Sequence, residues 1–468
     1  MPERIERFEG CLLGLALGDA LGAPLEGMKT GRIRQAFGDV EGFVDSVAGW
    51  PGKPSHWRLS GLYGDDAQQA LALAETLLEK ERGDGERTMA LYLQLRDALK
   101  GDSFSCGGHR AVGPNFRKAL QAMSEGGDAF LCGQPDAGCG AAARIAPVGL
   151  FFPDDQAALR TAVIEASLIT HNDPRALAGA AALAYAVGCL AALDGDETPE
   201  VDELCADICS FTREFEEQLK DEYWDFLDPK TRISGAFQLS DSLRVLAPAV
   251  REANDDLARR SIVAAANRCQ PEFPLKDANQ DFAPAAVLIA LYYGLHYDNF
   301  SHGILAAIND GRKADSVGAM TGALLGVRLG RDSIPENWLK ELHNAEQVAL
   351  RGRMLAAGEI AQTMGDIDWS ARRNFVELEC ELTQLEHQSL RESQRQLEKR
   401  REREAKRRPP KPKKAPAPKQ AEAAFAPPPE LWLAGGGADP DTQRREKEAR
   451  GKKRIGWKEE QRRQRRRK

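Results

Sequence analysis

The sequence has no CxxC pair, and its nine cysteines (11, 106, 132, 139, 189, 205, 209, 269 and 380) are scattered and odd in number. That argues against a disulfide framework and against a zinc ribbon. Reduced thiols in a cytoplasmic protein are the expectation. The start, MPERIERFEGCLLG, lacks the basic region and small-residue cleavage site of a secretory signal. Few segments alternate strictly between apolar and polar residues, so half-buried strands are not expected. There is no internal repeat of fixed period. Long apolar runs are scarce too. Ala176 to Leu193 is uncharged over 18 residues, but it is mostly Ala and Gly. Small residues favour close packing, so this stretch reads as a buried core helix and no membrane span is expected.

What the chain does have is a divided charge. From Arg391 to Lys468 there are 27 basic and 12 acidic residues, a net of +15. Subtraction from the totals leaves 37 basic and 59 acidic residues in 1–390, a net of −22. The basic end therefore suits a polyanion, nucleic acid included, or an acidic protein surface. Aromatics there are sparse (Phe425, Trp432, Trp457), so stacking on single-stranded bases is weakly supported and phosphate contact would be sequence-neutral. Folding back on the acidic body is the other reading.

The body reads as helical nearly throughout. Asp66 to Lys80 carries apolar residues at helical spacing, with acidic residues at its start, where the helix dipole favours them. Pro284–Tyr297 is apolar on most faces, as buried helices are. Ser316–Gly330 repeats small residues and suits tight helix contact. The body is expected to occupy 1–373. Phe375, Leu378, Leu382 and Leu385 then form a short heptad-like stripe that runs into a charged helix, together 374–408. A Pro/Lys/Ala linker and a basic end, 409–468, are expected to be disordered when free.

Three acidic segments carry candidate chemistry. Gly61-Leu-Tyr-Gly-Asp65-Asp66 puts adjacent carboxylates at a helix start, where a hard cation or the helix N-terminus would relieve their repulsion. In Thr170-His171-Asn-Asp173-Pro-Arg, Asp173 fits an N-cap with Pro174 at the first helical position. Asp310-Gly-Arg-Lys313-Ala-Asp315-Ser316 is another loop entering a helix, offering an N-cap or a pair of oxygen ligands.

Together with two further segments these resemble the ADP-ribosylglycohydrolases. Phe8 to Gly27 (FEGCLLGLALGDALGAPLEG) is similar to the family's N-terminal signature, and Gly140-Ala-Ala-Ala-Arg144 to its Gly-Ala-Ala-Met-Arg segment. Thr170–Ala178 is similar to its Thr-His-x-Asp-Pro-Arg-Ala-Leu-Ala segment, and Asp315–Leu324 with Ile334–Trp338 to its late metal segment. The motifs keep the family's order over about residues 6–345.

The resemblance implies a fold and a chemistry. The fold would be a single large all-α bundle of orthogonal helices, with Mg²⁺ or Mn²⁺ at the base of a cleft. The substrate would be an ADP-ribosylated protein or an ADP-ribose-like small molecule. Asp65, Asp66, Asp315 and Ser316 would be metal ligands, with Asp65 also catalytic. Glu26 would gate or handle protons, and Asp136 stands where some members carry a catalytic Asp. Cys139, Gly140, His171 and Lys313 would line the ligand.

Some positions depart from the family pattern. Gly64 and Ala67 stand where it has Thr, Cys139 where Asn often precedes Gly-Ala-Ala, and Lys313 where it has an Asp ligand. An ammonium about 4 Å from a dication would cost roughly 8 kcal/mol at an effective dielectric of 20. Lys313 can turn outward, replace one metal by pairing with Asp65, Asp66 or Asp315, or lose its proton. The second is expected, because it explains why the carboxylates are kept. The expected activity is hydrolysis with an altered metal site. A degenerate member that only binds ADP-ribose or a related nucleotide, with the tail contacting a partner, is the alternative.

Overall fold

A computed structural model describes residues 3–100, 105–193, 198–234, 238–358 and 368–407. The chain divides into two compact units, Met1–Ala405 and Lys406–Lys468. The second lies outside the described residues apart from the end of one helix, and so does the expected disorder of 409–468.

The first unit is all-α. Its only strand pair among the described residues is the short hairpin Ser105–Cys106 and His109–Arg110. The helices that position the site are α1 (Arg4–Gly22), α2 (Asp65–Lys80), α3 (Pro174–Ala191), α4 (Ala283–His296), α5 (Ala314–Leu329), α6 (Ala345–Ala357) and α7 (Phe375–Arg407). The stretches read as helical from the sequence agree with α2, α3, α4 and α5 to within two residues at most ends. Asp173 caps α3 as expected, accepting Arg175 N at 3.0 Å, with Pro174 first in the helix. Two helices, within Arg4–Leu25 and Pro174–Ala191, are long and apolar enough to cross a membrane, but their apolar faces are buried in the core.

The axis of the unit is the contact between α1 and α5. Gly10, Gly14 and Gly18 of α1 lie against Gly326, Gly322 and Gly318 of α5, one helical turn apart and antiparallel. A Cβ at Gly18 would stand 1.9 Å from Gly318 O, and one at Gly322 would stand 2.0 Å from Gly14 O. Backbone therefore touches backbone, and only glycine allows it. This approach brings Asp19, at the end of α1, beside Asp315 and Ser316, at the start of α5.

α7 agrees with the helix expected over 374–408 to within one residue at each end, and it packs on the body. Phe375, Leu378 and Leu390 are buried, but Leu385 of the expected stripe is 42% exposed. The buried face runs instead through the polar Glu379, Thr383 and Glu386. A binary apolar/polar pattern does not reveal such a face.

Candidate functional site

Two backbone devices assemble the acidic residues. The first joins the loops before and after the bundle's axis. Gly27 N donates to Arg312 O at 2.7 Å and Arg312 N to Met28 O at 2.6 Å. Gly311 has φ +72°, and a Cβ there would strike Met28 O at 2.4 Å. This zipper places Glu26 next to Lys313. The second is Asp19, whose Oδ2 accepts Ala67 N at 2.8 Å and so caps the start of α2. Gly64 allows that cap, since a Cβ there would press on Asp19 Oδ1 at 2.9 Å. The glycine that departs from the family's Thr is thus matched to Asp19.

Asp65, Asp66 and Asp315 meet at the centre. One oxygen of each lies within 4.8 Å of the others. Ser316 Oγ donates to Asp66 Oδ2 at 2.6 Å, and Gln69 Nε2 to Asp65 Oδ2 at 3.3 Å. Lys313 points inward. Its Nζ is 3.0 Å from Glu26 Oε1 and 3.2 Å from Asp315 Oδ2. The outward reading of Lys313 is thereby set aside. Its partners are Asp315 and Glu26, and neither Asp65 nor Asp66 is hydrogen-bonded to it. Arg58 Nη2 approaches the other oxygen of Glu26 at 3.7 Å.

Charge follows this geometry. Burial raises the carboxyl of Asp66 well above the usual range, and Asp65, Asp19 and Asp315 add to it. Burial, then Glu26, push Asp315 up to about 7 against the pull of Lys313. Burial also raises Asp65, against Lys313. Burial would raise Glu26, but Lys313 and Arg58 outweigh it and hold the group below its ordinary value. Burial would lower Lys313, but Asp315, Glu26 and Asp66 outweigh it, so the ammonium keeps its proton. These surroundings favour the charged form of Lys313.

The carboxylates fit a hard divalent cation. They are oxygen donors gathered in one place, and Asp315 Oδ1 is buried without a hydrogen-bond partner in the described residues. An orphaned buried oxygen of this kind is costly unless a cation or donor answers it.

A second group adjoins the first. Arg144 Nη1 donates to Gln69 Oε1 at 2.8 Å, linking it to Asp65. Arg144 Nη2 donates to Thr170 Oγ1 at 2.5 Å, and Thr170 Oγ1 is 2.8 Å from His171 Nδ1. The Thr170 hydroxyl also reaches Ser167 O at 3.5 Å, and the His171 Nε2 edge lies beside Gly140. Burial, then Arg144, press His171 down to about 3, so the ring is neutral. Cys139 N donates to Asp281 Oδ1 at 3.1 Å. Asp136 accepts from Gly138 N at 3.0 Å and from Asn115 Nδ2 at 2.6 Å. It sits with Asp281 around Gly138, with no hydrogen bond to the acidic centre in the described residues.

Asp19 and Arg144 lie inside segments that the sequence singles out, yet their roles depend on partners in distant helices. Arg58 and Asp281 carry no local signal: each is a loop residue brought in by the fold.

The sequence model of the ADP-ribosylglycohydrolase family matches residues 1–366. The chain is 27% identical to the ADP-ribosyl-[dinitrogen reductase] glycohydrolase of Rhodospirillum rubrum, over 73% of this chain and 92% of that protein. It is 25% identical to the ADP-ribosylarginine hydrolase Tri1 of Pseudomonas putida, over 73% and 76%. Among solved structures it is similar to an ADP-ribosylglycohydrolase-related protein complex, with a TM-score of 0.52 and 26% identity over 76% of this chain and 99% of that one.

Proposed function

This chain belongs to the ADP-ribosylglycohydrolase family, and from that premise we propose that it hydrolyses the glycosidic bond between ADP-ribose and a modified protein side chain or small molecule, at a metal site reduced by Lys313. The observation that carries this is the convergence of Asp65, Asp66, Asp315 and Ser316 beside an ion-paired Glu26. Retention of that whole set favours hydrolysis over binding alone.

Asp65, Asp66, Asp315 and Ser316 would hold Mg²⁺ or Mn²⁺, which when bound polarises ribose hydroxyls and activates water. Lys313 pairs with Glu26 and with one oxygen of Asp315, taking the place of a second cation. Glu26, kept ionised by Lys313 and Arg58, contributes negative charge near the reacting sugar, where an oxocarbenium-like centre is stabilised. Neutral His171 presents its Nε2 edge beside Gly140, and Arg144 fixes that ring through Thr170. Asp136 and Asp281 flank Gly138, just before Cys139 and Gly140, and Asp136 would act there as the second catalytic carboxylate. The nine thiols are free, which suits a reducing compartment, and a cytoplasmic location is part of the proposal. The polyanion contact suggested by the tail's charge falls mostly on residues outside those described, and it forms no part of this reading.

The test is release of ADP-ribose from Arg-modified and Ser-modified proteins with added Mg²⁺ or Mn²⁺. The parent protein should release it, and Asp65→Asn should lower the rate by about 100-fold or more. No release above background from either substrate would overturn the proposal.

A further inference from the structure

The family match ends at residue 366, and α7 begins at Phe375. Yet α7 makes its polar contacts with the segment that leads into Asp65 and Asp66. Glu379 is fully buried. Its Oε1 accepts Tyr63 OH at 2.6 Å, and its Oε2 accepts Gln68 Nε2 at 2.9 Å and Arg110 Nη2 at 2.7 Å. Arg110 in turn donates to Tyr63 O at 3.0 Å and to Thr383 Oγ1 at 3.1 Å. Three residues before Glu386 ends this face, Thr383 also donates to Gly108 O at 2.7 Å. Glu386 Oε1 accepts Leu59 N at 3.1 Å.

α7 therefore grips both ends of residues 59–63. The residue before that segment is Arg58, which approaches Glu26. Those after it are Gly64, which makes room for Asp19, and then Asp65 and Asp66. The middle is held from the other side, by His343 N on Gly61 O at 2.8 Å. Gln68 lies one turn into α2, so the grip reaches the helix that carries both carboxylates.

We infer that α7 is a positioning element of the hydrolase site: Glu386 and Glu379 fix the 59–63 segment, and through it the placement of Arg58, Asp65 and Asp66. This inference rests on the hydrolase reading, but part of its test does not. Among the described residues, none of α7 hydrogen-bonds to the acidic centre. They act through the segment they hold, and a displacement of about 1 Å at a catalytic group is enough to cost rate heavily.

The experiment uses the full chain with Glu386→Leu, Glu386→Gln and Leu390→Ala. Leu390→Ala weakens apolar packing of the same helix and removes none of its hydrogen bonds to residues 59–63. Hydrogen exchange read by mass spectrometry should quicken by about tenfold or more over residues 58–68 in Glu386→Leu. In the same variant kcat for ADP-ribose release should fall by about tenfold or more, with KM little changed. Glu386→Gln keeps an acceptor for Leu59 N and should restore both. Leu390→Ala should lower the melting temperature while leaving kcat and the exchange of 58–68 near the parent's. The inference is overturned if Glu386→Leu leaves that exchange unchanged. It is also overturned if kcat follows melting temperature across all three variants. Absence of release by the parent protein would count against the hydrolase reading alone, since the exchange result still decides whether α7 holds the segment.

Discussion

At the scale of single residues, Lys313 decides how the centre is charged. An ammonium there stabilises Glu26 and Asp315 without a second cation, because it lies within hydrogen-bond reach of both. Its type was legible in the sequence as a departure. Its inward pairing with Asp315 agrees with the expectation, but its second partner, Glu26, was not legible, since that depends on the zipper between residues 27–28 and 311–312. His109 shows a different residue-scale effect. Burial drives it down to about 4. Its Nε2 lies 2.8 Å from Tyr92 O, while Nδ1 is buried with no partner in the described residues, so the ring is neutral with its proton on Nε2. The folded state therefore resists protonation that the unfolded chain accepts near the ordinary value of 6.5. Stability from this group is complete above pH 6.5 and is lost as pH falls toward 4. At about 1.4 kcal/mol per unit the loss is about 3 kcal/mol. Urea titrations between pH 7 and 4.5 should show the decline, and His109→Gln should flatten it. An equal decline in that variant would contradict the assignment.

At the scale of elements, the glycine contact between α1 and α5 and the polar face of α7 do the positioning. The small residues of α5 announced a tight contact, and the four-residue spacing of Gly10, Gly14 and Gly18 was present in the recognised N-terminal segment. Their pairing was not legible, because the partners lie some three hundred residues apart in the chain. Gly18→Ala would set a methyl group against the carbonyl of Gly318, where both sides are backbone and cannot yield cheaply. Overpacking of this kind costs about 3 kcal/mol or more, which calorimetric melting should register. α7 was hidden for a different reason. Its stripe of Phe375, Leu378 and Leu382 pointed toward the body, but the contact is completed by Glu379, Thr383 and Glu386, which a binary pattern assigns to water. Glu379→Ala would leave the Arg110 guanidinium buried without its carboxylate, at a cost of about 3–5 kcal/mol. A melting temperature like the parent's would contradict that account.

At the scale of the molecule, the all-α class, the family and the acidic centre were legible because the motifs are local and ordered along the chain. The remaining parts of the site were not, because Asp19, Arg58, Arg144 and Asp281 act through partners from other elements. Of the −22 carried by residues 1–390, most is surface, while Glu26, Asp19, Asp65, Asp66 and Asp315 are drawn inward against a desolvation cost. The fold answers part of that cost with Lys313 and leaves the rest for a metal ion. Titration of the parent protein with Mn²⁺ by calorimetry tests this most directly. The account predicts a single tight site, and a second one gained in Lys313→Asp. Two tight sites in the parent protein would contradict it.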